Sequence, residues 1–323
     1  MSKATLLEVA KMAGVSIGTA SRAVNGKPRV SKQAGKRVFD AVRKLGYVQP
    51  TTRQRLVAIL IPTLEIPVLG DYFCFVFSAL RQEIHQRGYR AITVSLEDYP
   101  LLNDWPVSGV ISFDYIEEAS HLLPKNSSVP LVCCNDRPNH LENIYSVQTN
   151  FRKVLREAVD YLVGLGHIRI GLFHFQEARP LILPEYERIL KEAMAVHGLE
   201  KELFFHPYSK DLSAYEAVSM LLRDRVTAII AINGGMIVDH FLKLSGKRIP
   251  EDISLITEDT IAASDMSPRH TILKVHYEEL ARKAVDMLET IWEGSAVRED
   301  LLVDTELVVR ESTGPAPRSQ FKA

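Results

Sequence analysis

The sequence lacks the usual signs of export, membrane insertion and disulfide bonding. Its three cysteines, Cys74, Cys133 and Cys134, are odd in number and lie in apolar runs, which is typical of reduced, buried thiols. No apolar run approaches the roughly 18 residues that a membrane span requires. The N-terminus, with Lys3 and Glu8, lacks the apolar core of a signal peptide. We therefore expect a cytoplasmic protein that does not bind a membrane.

Motifs for common catalytic and metal chemistry are also missing. The chain has no P-loop, no G-x-S-x-G turn and no metal-ligand spacing, and its ten histidines are scattered. The stretch GLGHIRIG (164–171) precedes its predicted strand, whereas a dinucleotide-binding loop follows one. We interpret His167 within it as a structural cap rather than a base. The sequence thus predicts no enzyme, no cofactor and no metal site.

Charge is distributed unevenly along a chain whose formal net charge is only −1. Residues 1–56 hold twelve Lys and Arg against two acidic residues, a net charge of +10, and the remainder has a net charge of −11. A basic head on an acidic body is typical of a protein that binds a polyanion through its head. Charge alone is equally compatible with a solvated basic surface.

The basic head is predicted to contain three short helices. Thr5 and Glu8 have the spacing of a capping box on the first helix, which should end at Gly14. Ser16 and Ser31 are placed to cap the second and third helices. The predicted buried positions are Leu6, Val9, Ala10, Ala13, Ile17, Ala20, Val24, Val38, Ala41, Val42 and Leu45.

The second predicted helix has the composition of a helix that enters the major groove of DNA. It follows the first after a short turn, as in a helix-turn-helix. Its small hydroxyl side chains would let the backbone approach bases and phosphates, and Arg22 can bond bidentately to guanine. The residues predicted to contact DNA in this head are Thr5, Ser16, Ile17, Gly18, Thr19, Ser21, Arg22, Asn25 and Ser31.

From residue 57 onward, continuous apolar runs alternate with amphipathic helices. Such runs are typical of parallel strands covered on both faces, so we predict an α/β doubly wound body. Its length exceeds one compact open sheet, which favours two similar halves with a cleft between them. Strands are predicted at 57–62, 91–96, 109–113, 130–135, 169–175, 227–232 and 253–257, and helices near 73–87, 151–165, 185–197, 213–223 and 278–292.

These motifs, taken together, resemble the lac and gal repressor family of bacterial transcription regulators. The head carries TLLEVAKMAGVSIGTASRAVNG, and the body carries GLGHIRIG, RIPEDISLITED, HTILKV and LVVREST in the family's order. The resemblance implies a body of two periplasmic-binding-protein-like lobes with a small-molecule effector in the cleft between them. It also implies a homodimer that binds a pseudo-palindromic double-stranded DNA operator, with effector binding shifting the DNA-competent population.

The resemblance also implies a division of the chain into domains. The DNA-binding head would occupy 1–49, a short linker 50–56, the effector-binding and dimerisation domain 57–311, and a tail 312–323. Within the body, lobe 1 would comprise about 57–166 and 275–297, and lobe 2 about 167–274 and 298–311.

The linker departs from the family pattern. Family members usually carry a longer linker with a hinge helix, whose leucine enters the minor groove. Here nine residues, VQPTTRQRL, separate Tyr47 from Val57, and Pro50 interrupts them. Leu56 is the one candidate for the minor-groove contact, and the alternative is that it is the first core residue of the body.

The cleft departs as well. Sugar-binding members usually carry an Asp, an Arg and an Asn-Asp pair where this chain has Thr149, Ile182 and Asn233-Gly234. The effector is therefore expected to be a sugar or a sugar derivative, and the altered residues argue against assuming a neutral hexose. Other cleft residues are expected near strand ends. The predicted effector-binding residues, for each of which the alternative is a solvated loop position, are Asp71, Tyr72, Phe73, Gln148, Thr149, Glu177, Arg179, Asn233, Asp259, Lys274 and His276.

Two shorter features differ from the family too. The segment 97–109 is too short for the helix that normally links two strands there, so lobe 1 is expected to be trimmed. Gly18 replaces a position that often reads a base, which leaves specificity to Ile17 and Arg22, and Gly35 interrupts the third helix.

The sequence thus favours a dimeric, sequence-specific DNA-binding transcription regulator, a repressor controlled by a small molecule. A regulator of the same fold that has lost small-molecule control is the first alternative, because the sugar clamp is altered. A solute-binding protein is the second, and it is disfavoured because it would require export and would not carry the basic head.

Overall fold

The computed structural model of the chain separates into two units, Met1–Arg55 and Leu56–Ala323. Among the residues it describes, no helix is long and apolar enough to cross a membrane. The described residues are 5–24, 30–45, 55–61, 71–95, 97–99, 102, 107–113, 129–135, 144–174, 183–206, 212–232, 234–258, 269–295 and 300–317.

The head contains three helices, α1 (Leu6–Ala13), α2 (Ile17–Val24) and α3 (Lys32–Leu45). Its core is small and rich in alanine, which lets the helices approach closely. The fully or nearly buried residues are Val9, Ala10, Ala13, Ala20, Ala23, Val38 and Ala41. The prediction that Ile17 is buried is wrong, because the packed face of α2 contains Ala20 and Ala23 and leaves Ile17 half exposed.

The body is built from alternating strands and helices. In chain order they are β1 (Leu56–Ile61), α4 (Asp71–Gln86), β2 (Arg90–Ser95), β3 (Gly109–Phe113), β4 (Leu131–Cys134), β5 (Ile144–Thr149), α5 (Phe151–Gly164), β6 (Ile170–His174), α6 (Leu183–Val196), β7 (Leu203–Phe205), α7 (Ala214–Arg223), β8 (Ala228–Ile232), α8 (Gly235–Leu244), β9 (Ser254–Glu258), β10 (Thr271–Val275), α9 (Tyr277–Trp292), β11 (Asp300–Val303) and β12 (Thr305–Val308). Each predicted strand and helix of the body corresponds to an observed one.

Two six-stranded sheets form the lobes. The first has the strand order β11-β5-β4-β3-β1-β2 and is parallel throughout, with α4 and α9 packed on one face. The second has the order β12-β10-β9-β8-β6-β7, parallel except for β12, with α5 and α6 on one face and α7 and α8 on the other. The predicted fold of two doubly wound lobes is confirmed.

The chain crosses between the sheets at three strand ends, after Thr149, after Val275 and at Asp304. These crossings correct the predicted lobe limits in two places. Helix α5, predicted in lobe 1, packs against α6 and β12 of the second sheet. Strand β11, predicted in lobe 2, pairs with β5 of the first sheet.

Leu56 belongs to the body. It begins β1, its carbonyl oxygen accepts a hydrogen bond from the Ser108 N–H at 2.8 Å, and its side chain packs against the cluster that contains Leu60 and Val110. A side chain built into this sheet cannot also reach a minor groove, so the candidate hinge role of Leu56 is wrong. The alternative, a first core residue, is the one observed.

Three described residues of the short segment 97–109 cover part of the first sheet. Tyr99, Leu102 and Val107 are buried against Ala58 and Leu60 of β1. These three side chains shield sheet residues from water, and the trimming of lobe 1 stays a prediction.

His167 joins three parts of lobe 2. Its Nε2 donates to the Gly314 carbonyl oxygen at 3.0 Å, so Nδ1 is the acceptor for the Thr227 hydroxyl at 2.9 Å. The fully buried ring is therefore a structural connector, as interpreted from the sequence. Two residues after Gly314, the Ala316 N–H donates a hydrogen bond to the Leu165 carbonyl oxygen. Gly314 and Ala316, which were assigned to the tail 312–323, therefore belong to the body.

Burial lowers the pKa of His167, and the hydrogen bond to Gly314 opposes this only partly. Below the ordinary pKa of about 6.5 the unfolded chain binds a proton that the folded imidazole resists, so stability is full above this pH and falls below it. The slope from this residue is at most about 1.4 kcal/mol per pH unit. We expect His167→Gln to lower stability overall and to flatten this dependence, measured by urea unfolding between pH 5 and 8. Equal slopes in both proteins would contradict the assignment.

Candidate functional site

The turn between α1 and α2 is fixed by Gly14 and Ser16. Gly14 has φ 63°, a left-handed conformation that favours glycine, and its N–H bonds to carbonyl oxygens at the end of α1. The Ser16 hydroxyl then accepts a hydrogen bond from the Thr19 N–H at 3.1 Å and caps α2. The sharp turn sets α2 at an angle to α1, as a helix-turn-helix requires.

The outer face of α2 carries the residues predicted to contact DNA. Ser16, Ile17, Gly18 and Arg22 are exposed, and Ile17 keeps 51% of its surface accessible. Exposed aliphatic surface of this kind can contact a thymine methyl group. Thr19 and Ser21 are half-buried beside this face, and the Thr19 hydroxyl lies 2.9 Å from that of Ser16.

Neither the backbone conformation nor the space around position 18 requires a glycine. The Arg22 Nε donates to the Gly18 carbonyl oxygen at 3.2 Å. A Cβ added at Gly18 would lie 3.9 Å from both Arg22 Nη2 and the Ser16 hydroxyl oxygen, which is ordinary van der Waals contact. Alanine would therefore fit at this position.

Thr5 and Ser31 are both engaged at helix starts. Thr5 donates from its N–H and its hydroxyl to the Glu8 carboxylate, at 2.7 and 3.0 Å, so a phosphate contact through Thr5 requires this capping box to open. These bonds hold the pKa of Glu8 below its usual value. Ser31 accepts from Ala34 N at 3.2 Å. Asn25 lies outside the described residues.

Gly35 and Gly18 allow a matched test of helix stability and recognition. Nothing lies within 4 Å of a Cβ added at Gly35, so Gly35→Ala should stabilise the head by roughly 0.5–1 kcal/mol through helix propensity alone. Gly18→Ala should stabilise it by no more than this. Calorimetry of the full chain measures both changes. A destabilised Gly18→Ala protein would show that the glycine serves the fold rather than the DNA-facing surface.

The carboxyl ends of the body's parallel strands define the second candidate site. The first sheet ends at Thr149 before the chain crosses to lobe 2, and the second ends at Val275 before it crosses back. The carboxyl edges of both sheets therefore border the crossings, where α/β folds bind ligands. On the lobe 1 side, Tyr72, Asn135 and Thr149 meet in one hydrogen-bonded cluster.

Other predicted cleft residues are not part of this cluster. Gln148 Nε2 bonds to the Ser146 hydroxyl at 3.1 Å, on the face of β5 opposite to Thr149. Lys274 and His276 both lie near Glu306 of β12, at 3.5 and 3.8 Å. Phe73 stacks on the Phe77 ring one turn along α4.

Four predicted cleft residues, Glu177, Arg179, Asn233 and Asp259, lie outside the described residues, as does the side chain of Asp71. No group of three or more metal-ligating side chains occurs among the residues that are described.

On the lobe 2 side the structure shows two buried titratable residues that the sequence interpretation missed. His174 ends β6 and Glu258 ends β9, with exposed fractions of 0% and 3%. The His174 ring lies 6.1 Å from that of Tyr186. The sequence could have indicated both residues, because they are polar residues at the carboxyl ends of predicted apolar strands, and this edge of a parallel sheet borders the cleft.

Comparisons with known proteins agree with this architecture. The family described as "Bacterial regulatory proteins, lacI family" matches residues 5–50, and the "Periplasmic binding protein-like domain" matches residues 159–313. The HTH-type transcriptional repressor PurR of Pasteurella multocida is 28% identical over 96% of this chain and 98% of that protein. The HTH-type transcriptional regulator MalR of Streptomyces coelicolor is 27% identical over 97% of each.

Two solved structures share the fold over nearly the whole chain. The lac repressor dimer bound to operator and the anti-inducer ONPF has a TM-score of 0.69 at 22% identity, covering 97% of this chain and 100% of that one. The complex of the transcriptional regulator CelR with cellobiose has a TM-score of 0.65 at 24% identity, covering 96% and 100%. The head thus carries the helix-turn-helix described for the lacI family of bacterial regulatory proteins, and a periplasmic-binding-protein-like domain follows it along the chain.

Proposed function

We propose that this chain is a homodimeric transcriptional repressor that reads a pseudo-palindromic operator with α2 and responds to a small molecule in the cleft. The observation that carries the DNA-binding part is the outer face of α2, where Ile17 and Arg22 are exposed on a head with a net charge of +10. The names of the relatives, a repressor and a regulator, support the same function. Because a bacterial operator lies in the cytoplasm, binding to it would require the protein to be cytoplasmic.

The cleft and the relatives support the effector part. Solved structures of the same fold hold cellobiose in one case and ribose in another. In this chain the carboxyl edges of two parallel sheets border the crossings, and Tyr72 and Thr149 lie at that edge. A ligand that binds one relative position of the lobes better than another shifts the DNA-binding population by its differential affinity. We propose no catalytic step.

Arg22 is the residue proposed to read a base directly. We expect Arg22→Ala to weaken binding to the preferred operator by about 1–3 kcal/mol and to relax selection at one base pair in each half-site. Selection from a randomised operator library measures both effects. Lys36→Ala is a matched control, because it removes an exposed cation from α3. It should change at most the affinity and its salt dependence. Unchanged base selection by the Arg22 variant would contradict the proposed reading.

The effector response is tested by ligand screening. Sugars, sugar acids and sugar phosphates that bind the native state should raise the melting temperature of the full chain. Each stabilising compound is then tested for its effect on operator affinity. A compound that stabilises the body and changes operator affinity supports the proposal. Stabilisation without any change in operator affinity would favour the alternative, a regulator that has lost small-molecule control.

A further inference from the structure

Asn135 is held at the carboxyl end of β4 by bonds from three directions. Its backbone is left-handed, with φ 59°, and its N–H donates to the Val147 carbonyl oxygen at 2.9 Å. Its side-chain oxygen accepts from the Thr149 N–H at 2.7 Å and from the Thr149 hydroxyl at 2.9 Å. Its Nδ2 donates to the Tyr72 hydroxyl oxygen at 2.6 Å. The amide group is therefore fixed in place.

These bonds also fix which atom of the amide is which. A backbone N–H can only donate, so the atom facing Thr149 must be the amide oxygen. That oxygen has two lone pairs, and Thr149 occupies both. Nδ2 carries two hydrogens, of which Tyr72 takes one. Asn135 is thus saturated as an acceptor and keeps one N–H to donate.

The location of Asn135 makes this N–H relevant to a ligand. The side chain is partly exposed and follows β4 directly, beside the end of β5 where the chain leaves lobe 1. The Thr149 hydroxyl donates its hydrogen to the Asn135 side-chain oxygen, so these two side chains form an uncharged part of the lobe 1 wall. Glu258, in contrast, lies at the end of β9 in the other lobe.

Because the Asn135 amide can donate one more hydrogen bond but cannot accept another, it binds some ligand groups better than others. A sugar hydroxyl both donates and accepts, and it is best matched by a wall that offers acceptors as well. A carboxylate or phosphate only accepts, and hydrogen bonds to ionised oxygens are stronger than neutral ones. We propose that Asn135, positioned by Thr149 and Tyr72, binds an acceptor-only group of the effector, a carboxylate or a phosphate, on the lobe 1 wall. This inference rests on the proposed function, in which the cleft holds a small-molecule effector.

Three probes that differ only at C6 of the sugar ring test the inference. D-glucose, D-glucuronate and D-glucose 6-phosphate are titrated calorimetrically into the full-length protein without DNA. We expect glucuronate or glucose 6-phosphate to bind at least about tenfold tighter than glucose, the scale of one hydrogen bond to a charged group. Comparison of the two acids shows whether the site prefers a carboxylate or a phosphate. Glucose binding as tightly as both acids, or no binding by either acid, would overturn the proposal.

Asn135→Asp assigns the effect to this residue. The carboxylate can still accept from Thr149, so the wall should keep its shape, but the donor becomes a negative charge. We expect the preference for the acid to disappear. Gln82→Glu makes the same amide-to-carboxylate change on the exposed side of α4 and should retain the preference. An Asn135→Asp protein that still prefers the acid would overturn the proposal.

A separate measurement tests whether Thr149 and Tyr72 position the Asn135 amide. Thr149→Val and Tyr72→Phe each remove one bond to the amide, so each should weaken acid binding by less than Asn135→Asp does. Acid binding that is equally strong in both variants would remove the positioning role. The outcomes also separate this inference from the proposed function: a neutral sugar that binds and alters operator affinity would support the function and overturn the acceptor-only reading.

Discussion

Asn150 holds together the crossing segments on which the two-lobed body depends. Its N–H donates to the Val303 carbonyl oxygen of β11 at 2.8 Å, and its carbonyl oxygen accepts from the Thr305 hydroxyl of β12 at 2.9 Å. Its side-chain oxygen caps α5 by accepting from Lys153 N. One residue thus contacts the last strand of lobe 1, the last strand of lobe 2 and the first helix of lobe 2. Because β11, β12 and α5 all meet at Asn150, the carboxyl edges of both sheets lie beside this residue.

Most of the fold was predictable because buried parallel strands are apolar without interruption. The strands that were not predicted, β5, β7, β10, β11 and β12, are short or interrupted by polar residues. Strand β5 includes Ser146 and Gln148, and β7 has three residues. Helix α8 begins at Gly234 and Gly235 without a side-chain cap, so it lacks the usual start signal. The lobe assignment of α5 and β11 depended on where the chain crosses, which hydrophobic periodicity does not encode.

The candidate sites were predictable to different degrees for a physical reason. The face of α2 follows from local spacing, although the position of Ile17 depended on how Ala23 packs against the other helices. The contact between Asn135 and Thr149 joins residues 14 apart and needs a left-handed asparagine, which no local pattern requires. Tyr72 was recognised individually, whereas its partner Asn135 was not. Sequence spacing therefore identified the edge of the cleft but not the hydrogen bonds along it.

The hydrogen bonds of the C-terminal segment have a consequence for folding during synthesis. The head is built from residues 5–45, whose contacts are local, so it can fold soon after it leaves the ribosome. Lobe 1 lacks α9 and β11 until residue 303 is made, and lobe 2 lacks β12 and the bond from His167 to Gly314 until later still. Neither lobe can therefore complete its fold until the C-terminal stretch that contains β11, β12 and Gly314 has been synthesised. A nascent chain can present a folded head long before it has a complete body.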